Sequence, residues 1–239
     1  MRIRSWRNNA RRARLLMRTA REIKNYVVQK KILTSLLAML LVMTGTLFTV
    51  SALYKETGSF TVGINKYDMT KYGLTLSETR DMMYNTSNLN ADIAEEITNI
   101  AEEQLPDNLD EIDGEHNGQN HIAYTFYLQN AGEVELSYQY SLNISGITNG
   151  LDEAVRIRLY VDGVPTTYAK TSSSGSGPEP NTTAFYNSVS AVNARVENFE
   201  PGEQTKFTIV IWIEGTDPDC IDWLIGGQLK VDMEISVVH

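Results

Sequence analysis

The stretch VELSYQYSLNI, residues 134–144, decides the fold class. Val134, Leu136, Tyr138, Tyr140, Leu142 and Ile144 alternate without a break with Glu, Ser, Gln, Ser and Asn. A period of two places the first set on one face of an extended strand and the second set on the other. One face is therefore built for a core and the other for water, whereas a helix would scatter the same apolar residues around its circumference.

Working outward, the same alternation recurs on both sides. Upstream lie Phe60, Val62 and Ile64, then Ile122, Tyr124, Phe126 and Leu128. Downstream, Val155, Ile157, Leu159 and Val161 end at the turn pair Asp162-Gly163. Ala191, Val192, Ala194 and Val196 form a weaker run that stops at Pro201-Gly202. Phe207, Ile209, Ile211 and Ile213 follow, and then Leu229, Val231, Met233, Ile235 and Val237. Seven such segments joined by turn residues predict an all-β protein, an antiparallel β-sandwich over residues 53–239.

Three interruptions break the pattern. In residues 88–105, Leu89, Ile93, Ile97 and Ile100 recur at helical spacing before Pro106, which predicts an inserted amphipathic helix. Residues 171–183 are rich in Ser, Gly and Pro and read as a flexible surface loop. In residues 214–231, Asp217 suits a helix cap, Pro218 the first helical position and Gly226-Gly227 the exit, predicting a short capped helix.

The chain before residue 53 has a different character. Residues 1–31 carry eleven Lys/Arg and one acid, a balance of +10, while residues 32–239 carry ten Lys/Arg against 29 acids, a balance of −19. Ile32 to Tyr54 contains no charge. A basic segment before an uncharged run long enough to span a bilayer predicts an export helix over residues 32–52. The positive-inside rule then puts residues 1–31 in the cytoplasm and the rest outside. Val50, Ser51 and Ala52 place small residues where a signal peptidase reads, so cleavage after Ala52 and a retained transmembrane anchor both stand as readings. Residues 1–54 accordingly have the membrane or the export machinery as partner. The acidic remainder repels phosphate, which argues against a nucleic-acid partner.

Signals for catalysis are sparse, and the sequence reads as a non-enzyme. His116, His121 and His239 lack metal-ligand spacing to one another or to Cys220, the single cysteine. No nucleophile elbow, phosphate-cradling loop or zinc-protease motif occurs. No cofactor is expected. Weak candidates for a metal are Asp217, Asp219 and Asp222, and for calcium the tract with Asp107, Asp110 and Asp113, because hard cations take clustered oxygens. Exposed aromatic residues would form a platform for a polysaccharide, and Trp212 and Trp223 are the candidates, with Tyr138, Tyr140 and Tyr168 beside them.

The run YKETGSFTVGINKYDM (54–69), following the basic and apolar segments, resembles the start of TasA/camelysin-like exported proteins of Gram-positive bacteria. Phe60 and Gly63 stand where that family has an aromatic residue and a glycine. YTFYLQNAGEVELSYQYSLNI (124–144) looks like the strand pair that follows, with Asn130 and Gly132 at its turn. The resemblance implies a jelly-roll-like sandwich, a dedicated signal peptidase, and a role in extracellular fibres, a biofilm matrix or the cell surface. The long arginine-rich segment and the inserted helix depart from it.

Two functional classes follow. In the first, the chain is a surface or matrix protein that associates with copies of itself, the segment holding Phe60, Val62 and Ile64 completing the sheet of a neighbour. In the second, it is a tethered module that binds a polysaccharide or the cell wall.

Overall fold

The computed structural model describes residues 19, 24–45, 60–91, 97–172 and 178–238. The chain divides into two units, residues 1–54 and 55–239.

In the first unit, helix α1 (Lys24–Gly45) runs for 22 residues, all of them exposed. At 1.5 Å per residue it is about 33 Å long, enough to cross a hydrocarbon core of about 30 Å. It begins inside the basic segment, upstream of Ile32, and takes in Lys24, Lys30 and Lys31. The hydroxyls of Thr34 and Thr44 donate back to the carbonyls of Lys30 and Leu40 (3.0 Å each), which satisfies them within the helix. The expected cleavage residues Val50, Ser51 and Ala52 lie outside the described residues.

The second unit is all-β, two sheets enclosing one core. Its elements are β1 (Phe60–Ile64), α2 (Lys66–Tyr72), β2 (Leu74–Ser77), β3 (Asn88–Ala91), β4 (Gly114–Glu115), β5 (His121–Asn130) and β6 (Leu136–Ile147). Then come β7 (Val155–Val161), β8 (Val164–Ala169), β9 (Thr183–Ala184), β10 (Ser190–Phe199), β11 (Gln204–Ile213) and β12 (Leu229–Val238). One sheet has the order β10-β6-β12-β1-β3, the other β2-β5-β11-β7-β8-β9 with β4 added to β5. Inward residues of both sheets meet in the core: Val62, Tyr138 and Leu142 from the first, Phe126, Ile157 and Phe207 from the second. Phe207 stacks on Phe126 (5.3 Å) and meets Tyr140 edge-on (5.2 Å), so aromatic packing joins the sheets.

The sandwich differs from the expected antiparallel pattern at two pairings. β1 runs parallel to β12, and β9 parallel to β8. Alternation specifies which face of a strand is buried but carries no direction, so it does not distinguish the two pairings.

The helix expected over residues 88–105 is replaced where the structure is described. Asn88–Ala91 is strand β3, paired antiparallel with β1. Ile100 bridges Glu214, and only Glu102–Gln104 form a single 3-10 turn. Residues 92–96 lie outside the described residues. Tertiary pairing overrides helical spacing here: an open edge on β1 rewards an extended Asn88–Ala91, and Leu105 and Leu109 then pack on the outer face of β11. The α-helix among the described residues of this unit is α2, capped by Asn65 Oδ1 accepting from Tyr67 N (2.9 Å) and ended by Gly73 at φ 75°.

Gly73 and Gly132 touch in a way that tolerates no side chain. A Cβ on Gly73 would lie 2.5 Å from Gly132 N, and one on Gly132 would lie 2.1 Å from Tyr72 O. Beside them the buried Asn130 donates to Val134 O and Phe199 O (2.9 Å each) and accepts from Gly132 N (3.0 Å), which knots the β5–β6 turn to the end of β10.

Candidate functional site

A cluster of buried polar side chains lies where β7 begins and β11 ends. Arg156 and Arg158 occupy the outward positions of β7, and Trp212 that of β11 opposite Arg156. Alternation assigns these positions to solvent, but the segment containing Ile100, Leu105 and Leu109 covers this face of the sheet. Trp212 is consequently 0% exposed, and its Nε1 donates to Glu214 Oε2 (3.0 Å). The Arg158 guanidinium lies 5.2 Å from the Trp212 ring centre and pairs with Glu102. Trp212 is therefore a core residue and no platform for a ligand. Tyr138 and Tyr140 are likewise buried, and Tyr168 is half-buried.

Glu214 collects the hydrogen bonds of this corner. Besides Trp212 it accepts from Glu102 N (3.1 Å) and from Thr216 N and Oγ1 (3.1 and 2.7 Å). Burial alone would raise its carboxyl, but the combined donors of Trp212, Thr216 and Glu102 hold it below the usual carboxylate range.

Arg156 forms the second half of the cluster. Its Nη2 lies 2.5 Å from Asp217 Oδ2 and 3.8 Å from Glu179 Oε2, with side-chain exposures of 6% for Arg156 and 0% for Asp217. Asp217 Oδ1 accepts from Asp219 N (2.7 Å), so this residue closes a two-residue turn and caps no helix. The expected capped helix is reduced to a 3-10 turn at Asp222–Leu224. Gly226, at φ 74°, supplies the left-handed exit as expected.

Of the three metal candidates, Asp217 and Asp219 come together, and Glu179 joins them with ligand atoms within 4.8 Å of one another. Asp222 stands apart, exposed on the 3-10 turn. Arg156 already places a cation against two of these carboxylates, so their chemistry is that of an ion-pair network. Glu179, in the stretch read as a flexible loop, is buried, and Thr171 bridges Pro178 at the base of that stretch. Residues 173–177 lie outside the described residues.

The acidic tract is held by the fold's own bonds. Asp113 Oδ1 accepts from Tyr127 Oη (2.6 Å), and Lys206 Nζ donates to Asp110 O. Asp107 is exposed. The His116 ring lies 2.9 Å from Gly114 O and 2.7 Å from Leu109 O, clamping the same turn. Cys220 is half-buried against the core, 3.4 Å from Asn99 Nδ2.

Two candidates keep features that a partner can use. Phe60, Val62 and Ile64 are buried on β1, between β12 and β3. Trp223 stands 74% exposed on the β11–β12 connection. Arg156, Arg158, Glu179 and Glu214 escaped the sequence reading, since nothing in an alternating strand marks which outward positions another segment will cover.

No family model and no curated protein matches the chain. Among solved structures it is similar to the crystal structure of β-glucosidase from Kluyveromyces marxianus in complex with glucose, at 11% identity and a TM-score of 0.23. That similarity covers 75% of this chain but 17% of the glucosidase chain, and it carries no argument about this protein's fold or activity.

Proposed function

We propose that the chain is an exported, non-catalytic surface or matrix protein whose sandwich associates with copies of itself by exchanging β1. The placement of β1 carries the reading. It is the first strand among the described residues, and it bonds in parallel along its whole length to β12 and antiparallel to β3. Its three inward side chains fill the core, Phe60 against the Tyr124 ring at 5.7 Å. Withdrawing β1 opens a slot walled by β12 and β3, and the same strand of a second copy fills it with identical bonds, so exchange conserves nearly all contacts. Export is supported by α1 with its basic approach and by the acidic balance beyond it. The resemblance of residues 54–69 to TasA/camelysin-like proteins accords with both parts.

The test uses the rung where Thr61 Oγ1 donates to Asp232 Oδ1 (2.6 Å). In a Cys220→Ser background, Thr61→Cys with Asp232→Cys is oxidised after concentration and run without reductant. Exchange yields a ladder of disulfide-linked multimers. A monomer band alone, with the internal disulfide formed, rejects exchange.

A further inference from the structure

The chain holds two Asn-Gly pairs, Asn117-Gly118 and Asn149-Gly150. Glycine places no side chain beside its own nitrogen, so in such a pair that nitrogen reaches the preceding Asn Cγ with the least hindrance. The fold treats the two pairs in opposite ways.

At Asn117 the side-chain amide is held from both ends. Its Nδ2 donates to Glu115 Oε1 (2.8 Å) and its Oδ1 accepts from Ala123 N (3.0 Å). The following nitrogen is bound as well, since Gly118 N donates to His121 O (3.0 Å). A Cβ on Gly118 would lie 2.3 Å from His121 Cε1, so the turn is packed against that ring. Both residues are half-buried. Turning the Asn117 amide onto Gly118 N would break these bonds inside a crowded turn.

Asn149 and Gly150 lie between β6 and β7, and both are exposed. Both take left-handed backbone, at φ 55° and 66°, which this residue pair adopts readily in tight turns. The Gly150 N–H has no hydrogen-bond partner among the described residues. The space around it is open, for a Cβ on Gly150 would meet Glu153 Cγ at 3.9 Å and nothing nearer. One bond holds the Asn149 amide, from Nδ2 to Ile225 O (3.1 Å). That bond is part of a fastening. Thr148 N donates to Gln228 O (3.0 Å) and Gln228 N to Thr148 Oγ1 (2.7 Å), so residues 148–149 tie the β11–β12 connection to the β6–β7 turn.

We propose that Asn149 is a site of spontaneous deamidation, and that the reaction loosens the β11–β12 connection. Gly150 N bonds to Asn149 Cγ and gives up its proton to solvent, while the Cγ–Nδ2 bond breaks and Nδ2 leaves as ammonia. The succinimide so formed takes up one water and opens at either carbonyl, to an aspartyl or an isoaspartyl product. No oxidant or reductant is involved, and water is the sole co-reactant. Either product sets a carboxylate oxygen where a donor faced Ile225 O, so attraction becomes repulsion. The isoaspartyl form also adds a methylene to the backbone two residues before Leu151, which is 6% exposed and packs in the core. The proposal is independent of export and of β1 exchange.

The test ages the full chain in detergent at mildly alkaline pH, beside a sample kept in urea, and maps both by digestion and mass spectrometry. Isoaspartyl is counted with an isoaspartyl methyltransferase. In the folded chain Asn149 should convert about tenfold faster than Asn117, which must give up two bonds more, each worth a factor of about 2–10. In urea the two should convert alike. Amide hydrogen exchange across residues 221–228 should quicken by about 2–10-fold in the aged chain, the loss of one bond. It should stay constant with age in Asn149→Gln, whose longer side chain closes the ring poorly. Equal conversion of the two residues in the folded chain overturns the proposal. So does an intact Asn149 once the urea sample has converted. Conversion with unchanged exchange over residues 221–228 overturns the loosening.

Discussion

The Arg156–Asp217 pair gives the sharpest test of how this sandwich is held. Both side chains are removed from water, at 6% and 0% exposure, with Nη2 and Oδ2 2.5 Å apart. Replacing Arg156 by Met leaves Asp217 with one backbone donor, Asp219 N, and deprives Glu179 of its only ion-pair partner among the described residues. Breaking a buried pair by removing one member costs about 3–5 kcal/mol, because the remaining charge stays desolvated. For the unit of residues 55–239, each kcal/mol lowers Tm by about 2–4 °C, so Arg156→Met should lower it by about 6–20 °C. Asp217→Leu alone should cost a similar amount. The double variant should cost clearly less than the sum, since neither member of the pair is left charged alone and the loss at Glu179 is incurred once, through Arg156. The assay is thermal and urea unfolding followed by circular dichroism on the full chain in detergent, with all four members of the cycle. Strict additivity, or a loss below about 1 kcal/mol for Arg156→Met, refutes the reasoning. Because Arg156 supplies the cation at this cluster, millimolar calcium should leave the wild-type transition unmoved. A calcium-dependent rise in Tm would show that a metal displaces the guanidinium.

The two tryptophans of the sandwich should separate sharply. Trp212→Ala removes a fully buried ring and a donor to Glu214 and should cost about 3–5 kcal/mol, while Trp223→Ala should stay within about 0.5 kcal/mol, both read by the same unfolding assay. Stability should also narrow at both ends of the pH scale. On the acid side, burial and then the neighbouring His116 charge lower His121, and Glu214 is held low by its donors. Both contributions are present above the unfolded values of about 6.5 and 4.3 and fade as pH falls below them. On the alkaline side, burial with the Asp113 hydrogen bond pushes Tyr127 up to about 12, and burial raises Tyr124 and Tyr138 further. Their stabilisation holds below the unfolded value of about 10 and is lost as pH climbs through the folded ones. Absorbance of tyrosinate should therefore rise in step with unfolding, and free titration of these phenols in the native state would contradict it.

How much of this was legible beforehand depends on what kind of signal each element carries. The strands β1, β5, β6, β7, β10, β11 and β12 announce themselves because one-sided burial writes a period of two into the chain. β2, at LTLS, alternates but over only four residues, too short a run to stand out, and β8, at VPTTYA, is mostly half-exposed and shows no clear alternation. Residues 88–105 misled because Leu89 and Ile100 do serve burial, but against two different clusters on opposite faces rather than as one helical face. The turn at Asn130 and Gly132 was visible as a turn. That Gly132 abuts Tyr72 O and Gly73 was not, since the contact joins residues some sixty positions apart.

For the candidate sites the division is similar. Sequence alone determined the charge split, the apolar run whose residues 32–45 lie in α1, the period of the main strands and the left-handed glycine at 226, because each is a local property of chain and solvent. It placed Asp217 and Asp219 near each other by proximity in the chain. Only the tertiary structure added Glu179 and Arg156 to them, turning three scattered acids into a network around one guanidinium. Only it buried Trp212 and left Trp223 in water. The reason is that burial of an outward residue is decided by what lies over the sheet, and the covering segment of residues 100–109 is more than a hundred positions away from Trp212.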